Sequence, residues 1–244
     1  MKSDADQAPC LGFIYGNRDF FPDKLVTEAR ADFAQLCGKL GIRMVQLSEQ
    51  DSKLGGLETH ADARKCAALF KGRADELDGI VVVLPNFGDE KGVADTLKLC
   101  GLKVPILVQA YPDDLKKLDV ARRRDGFCGK ISVCNNLVQA GIKYSVTRKH
   151  VAHPADKSFL QDLESFIAVC RVVNGLRGLR LGAVGARPGA FNTVRYSEKI
   201  LERHGISVTT VDLSEIFGKA EKLDPSNSSV SAKIPDFPAA STAW

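Results

Sequence analysis

Short apolar runs recur along the chain at residues 11–15, 43–47, 79–84, 105–109, 144–147, 179–184 and 207–211. Several are continuous rather than alternating, as in Ile80-Val81-Val82-Val83-Leu84. A strand that is apolar on both faces belongs inside a parallel sheet covered on both sides. Between the runs the apolar positions repeat with helical period, which predicts helices over 22–40, 61–71, 91–100, 130–140, 157–175, 192–204 and 213–223. The first has Pro22 at its start, Gly41 past its end, and an inward stripe of Leu25, Ala29, Phe33, Leu36, Cys37 and Leu40. Repeated β-α units predict an α/β fold: a doubly wound parallel sheet of flavodoxin or Rossmann type, followed by a partial second Rossmann-like domain.

The domain plan follows from the same pattern. Residues 1–9 are polar and predicted disordered, 10–150 form the first Rossmann-like domain, and 151–176 supply a hinge and a bridging helix. In that helix Phe159, Leu160, Leu163, Phe166, Ile167, Cys170, Val173 and Leu176 cover more than one stripe, which predicts burial on several sides. Residues 177–223 start a second β-α-β unit, and 224–244 read as an irregular tail of turn-forming and aperiodic composition. Two strands with two or three helices do not close a core, so this domain is expected to be cut short.

Composition narrows the function classes. A net charge of +4 is too mild to point to nucleic acid or a membrane surface, and neither is expected as a partner. The densest basic run, Arg122-Arg123-Arg124 after Lys116 and Lys117, has no interleaved aromatics and reads as a solvated face. The seven cysteines form no Cys-x-x-Cys pair and mostly sit in apolar periodic segments. That fits a reducing compartment. With no secretory leader in the polar first residues and no membrane-length apolar run, a cytoplasmic location is expected.

In an open parallel sheet, ligands gather beyond the carboxyl ends of the strands. Four loops there carry chemistry. Gly16-Asn17-Arg18-Asp19-Phe20-Phe21 presents polar groups beside a helix start. Arg18 either grips a hydroxyl or anion, or is solvated while Asp19 caps the helix. Asn86 and Phe87 offer a polar hand and an apolar plate, which suits a sugar; the alternative is a plain turn with Asp89 as helix cap. In Gly126-Phe127-Cys128-Gly129, backbone amides at a helix start have room for a carboxylate or oxygen-rich ligand, and a catalytic role for Cys128 lacks a partner base. Gly182-Ala183-Val184-Gly185-Ala186-Arg187-Pro188-Gly189 has the wrong spacing for a dinucleotide fingerprint. His150 and His153 lie three apart near Pro154 and read as hinge residues rather than metal ligands.

The segments after the first strand (Gly16 to Pro22), around Asp125-Gly126-Phe127-Cys128-Gly129-Lys130 with Asn135-Asn136, and from Val184 to Arg195 resemble the first two domains of L-fucose/L-arabinose isomerase-like proteins. Val211-Asp212-Leu213-Ser214-Glu215 is similar to the strand and helix that follow there. The resemblance implies aldose–ketose interconversion through an enediol, with a divalent cation, usually manganese, held by later sequence in the complete enzyme. It implies no catalytic residue and no metal ligand in this chain. It implies homo-oligomers, hexameric or trimer-based, in which the first domain lends an arginine to a neighbouring subunit's site. Arg18 matches that arginine, Asn86 or Phe87 a loop group, and Arg187 a residue facing the sugar; with Asn17 these are the expected substrate contacts. The rival reading is a two-lobed sugar-binding protein without catalysis. A flavodoxin-type phosphate site is disfavoured, because Asn17 to Phe21 is too bulky for backbone amides to cradle a phosphate.

Overall fold

The computed structural model describes residues 8–224 and 226–233. The chain divides into two compact units, the first ending at Gly175 and the second beginning at Leu176. Most of the N-terminal segment expected to be disordered, and the tail beyond Lys233, lie outside the described residues.

In the first unit, five parallel strands take the order β2-β1-β3-β4-β5: β1 Cys10–Tyr15, β2 Arg43–Gln46, β3 Gly79–Leu84, β4 Ile106–Ala110 and β5 Ser145–Val146. This is the flavodoxin-type order. Helices α1 (Lys24–Leu40), α2 (His60–Gly72), α3 (Glu90–Cys100), α4 (Gly126–Gln139) and α5 (Lys157–Leu176) surround it. The central strands β1, β3 and β4 are buried throughout, as their continuous apolar runs require.

Successive residues of β3 point to opposite faces and enter different cores. Ile80, Val82 and Leu84 meet Phe70 of α2, Val93 and Leu97 of α3, and Val133 and Leu137 of α4. Val81 and Val83 meet Phe33 of α1 and Phe159, Leu163 and Phe166 of α5. Phe33 is fully buried against Phe13, Tyr15 and Phe159, with ring centroids 5.4, 6.3 and 5.7 Å away. Burying one such ring contributes about 1.5–3 kcal/mol.

Several helix ends follow local rules. Gly41 ends α1 in the left-handed region, at φ 67°. Thr59 and Asp62 close a capping box on α2, and Asp89 caps α3 by accepting from the Gly92 amide. Others depart from expectation. The fourth helix starts at Gly126, four residues before the predicted start at residue 130. Its first amides, on Gly126 and Phe127, donate to the carboxylate of Asp113 at 3.2 and 3.3 Å. The cap therefore comes from the far end of the long connection between β4 and α4. Asp19 does not cap α1; the helix begins after Asp23.

The helix α5 also differs from the reading as a structure buried on several sides. Phe159, Leu163, Phe166, Ile167 and Cys170 form one buried stripe on the first sheet, while Val169, Val172 and Leu176 are exposed. A Cβ at Gly79 would meet the Cys170 Sγ at 2.6 Å, so strand and helix touch there. The segment expected as a hinge is fastened to the first unit. Ala152 is buried and its amide donates to the Ala110 carbonyl at 3.0 Å. His150 Nε2 lies 2.9 Å from the Phe127 carbonyl, and His153 Nε2 lies 3.4 Å from Asp32.

The second unit pairs β6 (Arg180–Val184) with β7 (Ser207–Val211) in parallel, joined through α6 (Glu198–Arg203). Helix α7 (Leu213–Ala220) follows, capped by Asp212 on the Ser214 amide. α6 is shorter than the predicted 192–204 helix. The Arg195 amide and Nε both bond Asn192, which folds that stretch into a turn. Within the tail expected to be irregular, residues Ser228–Lys233 form helix α8.

Candidate functional site

The strand order reverses between β1 and β3. The loop after β1 leads to α1 on one face, and the loop after β3 leads to α3 on the other. Diverging loops open a crevice at the carboxyl ends of these strands, where open α/β sheets bind ligands. Four of the five residues expected to contact substrate come together there.

Asn17 and Asn86 form the floor. Asn86 donates through Nδ2 to the Asn17 side-chain oxygen, and its own oxygen accepts from the Gly88 amide at 2.9 Å. Asn17 donates through Nδ2 to Glu58, with Asp23 Oδ1 at 3.4 Å. Both asparagines are buried. Leu57 follows the end of β1: its amide bonds the Tyr15 carbonyl and its carbonyl accepts from the Asn17 amide. That brings Glu58 beneath Asn17. The two amide side chains are thus internally satisfied, and they tie the loops after β1, β2 and β3 to one another. Truncating Asn86 to Ala strands the Gly88 amide and the Asn17 oxygen, at a cost of roughly 1–3 kcal/mol. Urea unfolding checks this, and a midpoint unchanged from wild type would remove Asn86 from the scaffold.

Arg18 and Phe87 stand above this floor. The guanidinium carbon lies 4.3 Å from the Phe87 ring centre, a cation–π contact. Arg18 Nη2 sits 3.9 Å from Glu90 Oε1, and both side chains keep about a third of their surface open, at 28 and 31 %. A turn from Arg18 to Phe21, closed by an amide-to-carbonyl bond of 2.9 Å, returns Phe21 to the same plate. Phe21 and Phe87 stack with centroids 6.5 Å apart, and Phe20, half exposed, packs on Phe21. From the helix side, Gly129 abuts the Phe87 backbone: a Cβ there would fall 2.2 Å from the Phe87 carbonyl oxygen.

The fifth residue, Arg187, belongs to the second unit. It is exposed and bonds the Pro188 and Gly189 carbonyls at 3.3 and 3.5 Å.

Two readings of nearby segments change. The amides at the start of α4, read as a seat for a carboxylate or an oxygen-rich ligand, hold the chain's own Asp113 carboxylate rather than a ligand. Of the basic run read as solvated, Arg122 conforms and pairs with Asp119 at the surface. Arg123 and Arg124 do not. Arg124 donates to the Pro85 carbonyl at 2.9 Å, pairs with Glu28 at 3.1 Å and lies over Tyr111. Arg123 lies over Phe21. Glu58 and Asp113 stand out in no sequence pattern, and Arg123 and Arg124 read only as part of a solvated face. Only the arginines carried a local cue, and their aromatic partners are supplied by distant loops.

The divalent cation implied by the resemblance does not fit the donors present. Asp23 and Glu58 are engaged by Lys53 and Asn17 and Asp113 by backbone amides, while Glu90 faces Arg18 through Oε1 and leaves only its buried Oε2 without a hydrogen-bond partner. Among the described residues no three His, Cys, Asp or Glu side chains come together to hold a metal. No described helix is long and apolar enough to cross a membrane.

The first unit is therefore a flavodoxin-like α/β domain carrying an arginine–aromatic seat at its switch point. Comparison with family profiles matches residues 12–177 to the fucose/sulfoquinovose isomerase N-terminal domain. That match covers more than half of the chain, and the chain belongs to this sugar isomerase family. Comparison with curated proteins finds no match.

Proposed function

We propose that this chain serves metal-dependent aldose–ketose isomerisation by supplying substrate contacts, while the cation is held by groups other than those described here. The carrying observation is the Arg18–Phe87 pair, half open above a buried Asn17–Asn86–Glu58 floor at the switch point. An aromatic face accepts the C–H side of a sugar, and a guanidinium beside it donates to hydroxyls. Arg187 is a further substrate contact, and several copies of the chain associate so that one copy's Arg18 serves a neighbour's sugar. A divalent cation held by those other groups would supply Lewis-acid polarisation of the sugar oxygens, while Arg18 and Phe87 of this chain would bind and orient the sugar.

The test is fucose binding to the full chain by calorimetry, with ketose formation assayed in the presence of manganese. Wild type is expected to bind sugar and form no ketose, and Arg18→Ala to lose affinity by about tenfold or more, the effect of a lost charge-assisted bond. Equal affinity in wild type and Arg18→Ala removes Arg18 from the site. Ketose formed by the chain alone overturns the assignment of the metal to other groups. A two-lobed binding protein without catalysis remains the second reading, favoured if Arg187→Ala costs as much affinity as Arg18→Ala and added manganese changes nothing.

A further inference from the structure

Phe87 touches both an arginine and a second ring. Arg18 lies 4.3 Å from its ring centre. Phe21 stacks on it with centroids 6.5 Å apart at 26°, and Arg123 lies 5.3 Å from the Phe21 ring centre. The order is cation, ring, ring, cation, assembled from the loop after β1, the loop after β3 and the segment just before α4. Each cation is matched by a carboxylate at the end of the stack: Glu90 for Arg18 at 3.9 Å, and Asp125 for Arg123 at 3.4 Å.

Arg123 reaches Phe21 under loose polar restraint. Its buried Nε makes no hydrogen bond among the described residues, and the Asp125 carboxylate 3.4 Å from that nitrogen is an ion pair only. Its neighbours are fixed independently. Arg124 is tied to the Pro85 carbonyl, and Asp125 turns into α4 through the left-handed region at φ 51°. Asp tolerates that region better than most residues. Arg123 is thus delivered to Phe21 by a backbone that has little choice.

We propose that Arg123 is a positioning residue for Arg18, acting through Phe21 and Phe87, and that it sets sugar affinity without touching sugar. This rests on the reading of Arg18 as a substrate contact. Removing the Arg123 guanidinium releases Phe21 from one side, loosens the Phe87 plate and widens the range of Arg18 orientations.

The experiment has two arms on the full chain. In the first, NMR follows the Arg18 side-chain NεH and CδH signals, which stacking on Phe87 shifts upfield. Arg123→Ala should move them towards the positions seen in Phe87→Ala, and Arg123→Lys, which keeps a cation over Phe21, should restore part of the shift. Arg18 signals unchanged in Arg123→Ala overturn the proposal. In the second, calorimetry with fucose compares Arg123→Ala in the wild-type and Arg18→Ala backgrounds. An affinity loss of about two- to fivefold, the size of a part-exposed cation–π contact, is expected in the first background and none in the second. Equal losses in both backgrounds mean that Arg123 acts independently of Arg18, which also overturns it. If Arg18→Ala itself leaves fucose binding unchanged, the functional reading fails, while the NMR arm still decides whether Arg123 positions Arg18.

Discussion

Gly129→Ala should destabilise the protein and weaken the sugar seat together. The new Cβ would stand 2.2 Å from the Phe87 carbonyl oxygen and 2.6 Å from its Cα, both backbone atoms. Neither yields by a rotamer change, so α4 or the loop after β3 must move. Overpacking of this kind costs about 3 kcal/mol. Alanine returns about 1 kcal/mol through its better helix propensity. The net loss is about 2 kcal/mol, or a fall in Tm of about 4–8 °C for a chain of this size. Gly38→Ala is the matched control. Gly38 lies inside α1 with nothing near its missing Cβ, so the same substitution should raise stability by up to about 1 kcal/mol. Calorimetric melts of both variants check the pair, and a Gly129→Ala melt at or above wild type would show that the loop after β3 yields freely.

Lys130 has the second large effect, and it is read through pH. The side chain is 1 % exposed, with its ammonium donating to the Thr147 hydroxyl and the His150 carbonyl, both at 2.7 Å. Burial without a carboxylate in direct contact pushes its pKa down from 10.5 to about 8. Below pH 8 both folded and unfolded chains carry the proton, and folding bears the full penalty of hiding a charge. Between about pH 8 and 10.5 the unfolded chain holds a proton that the folded one has released, so stability rises with pH across that window. The gain is on the order of 3 kcal/mol. Buried thiols act the other way: Cys66, pushed up to about 12 by burial, keeps its proton in the fold and loses it once unfolded. The comparison with Lys130→Met removes that background. Wild type should gain on Lys130→Met as pH climbs from 8 to 10.5 in urea titrations, above a constant offset from the two stranded acceptors. A difference flat in pH would show that the buried ammonium is compensated.

The fold was legible because its strands advertise themselves. Continuous runs such as 80–84 have no other reading in a chain with helical period on either side, and the parallel sheet followed. Gly41 and the Thr59–Asp62 box work within a few residues of the helix ends that they fix, so those ends could be read locally. The start of α4 could not, because its cap, Asp113, lies 13 residues upstream at the far end of the long connection from β4. The site divides in the same way. Arg18, Asn17, Asn86 and Phe87 were visible as polar and aromatic residues beyond strand ends. That the two asparagines are buried struts while Arg18 and Phe87 stay half open depends on Glu58, whose approach is set by Leu57 running along β1. Arg123 and Arg124 look like any solvated basic pair until Phe21 and Tyr111 arrive beneath them. The helix α5 misled because composition counts apolar residues, whereas the sheet beneath it accepts only those on one side.

The carboxylate of Asp113 makes the first turn of α4 a borrowed structure. Without it, Gly126 and Phe127 have no partner for their amides, and the turn from Gly126 to Gly129 keeps only the bond from the Gly129 amide to the Asp125 carbonyl and the His150 contact on the Phe127 carbonyl. That turn contains the glycine lying against Phe87. The loop after β4 and the loop after β3 are therefore geared through four residues of helix, and opening one unfastens the other. Amide exchange at Phe127 and at Gly88 should accordingly proceed at matched rates, as a single latch rather than two.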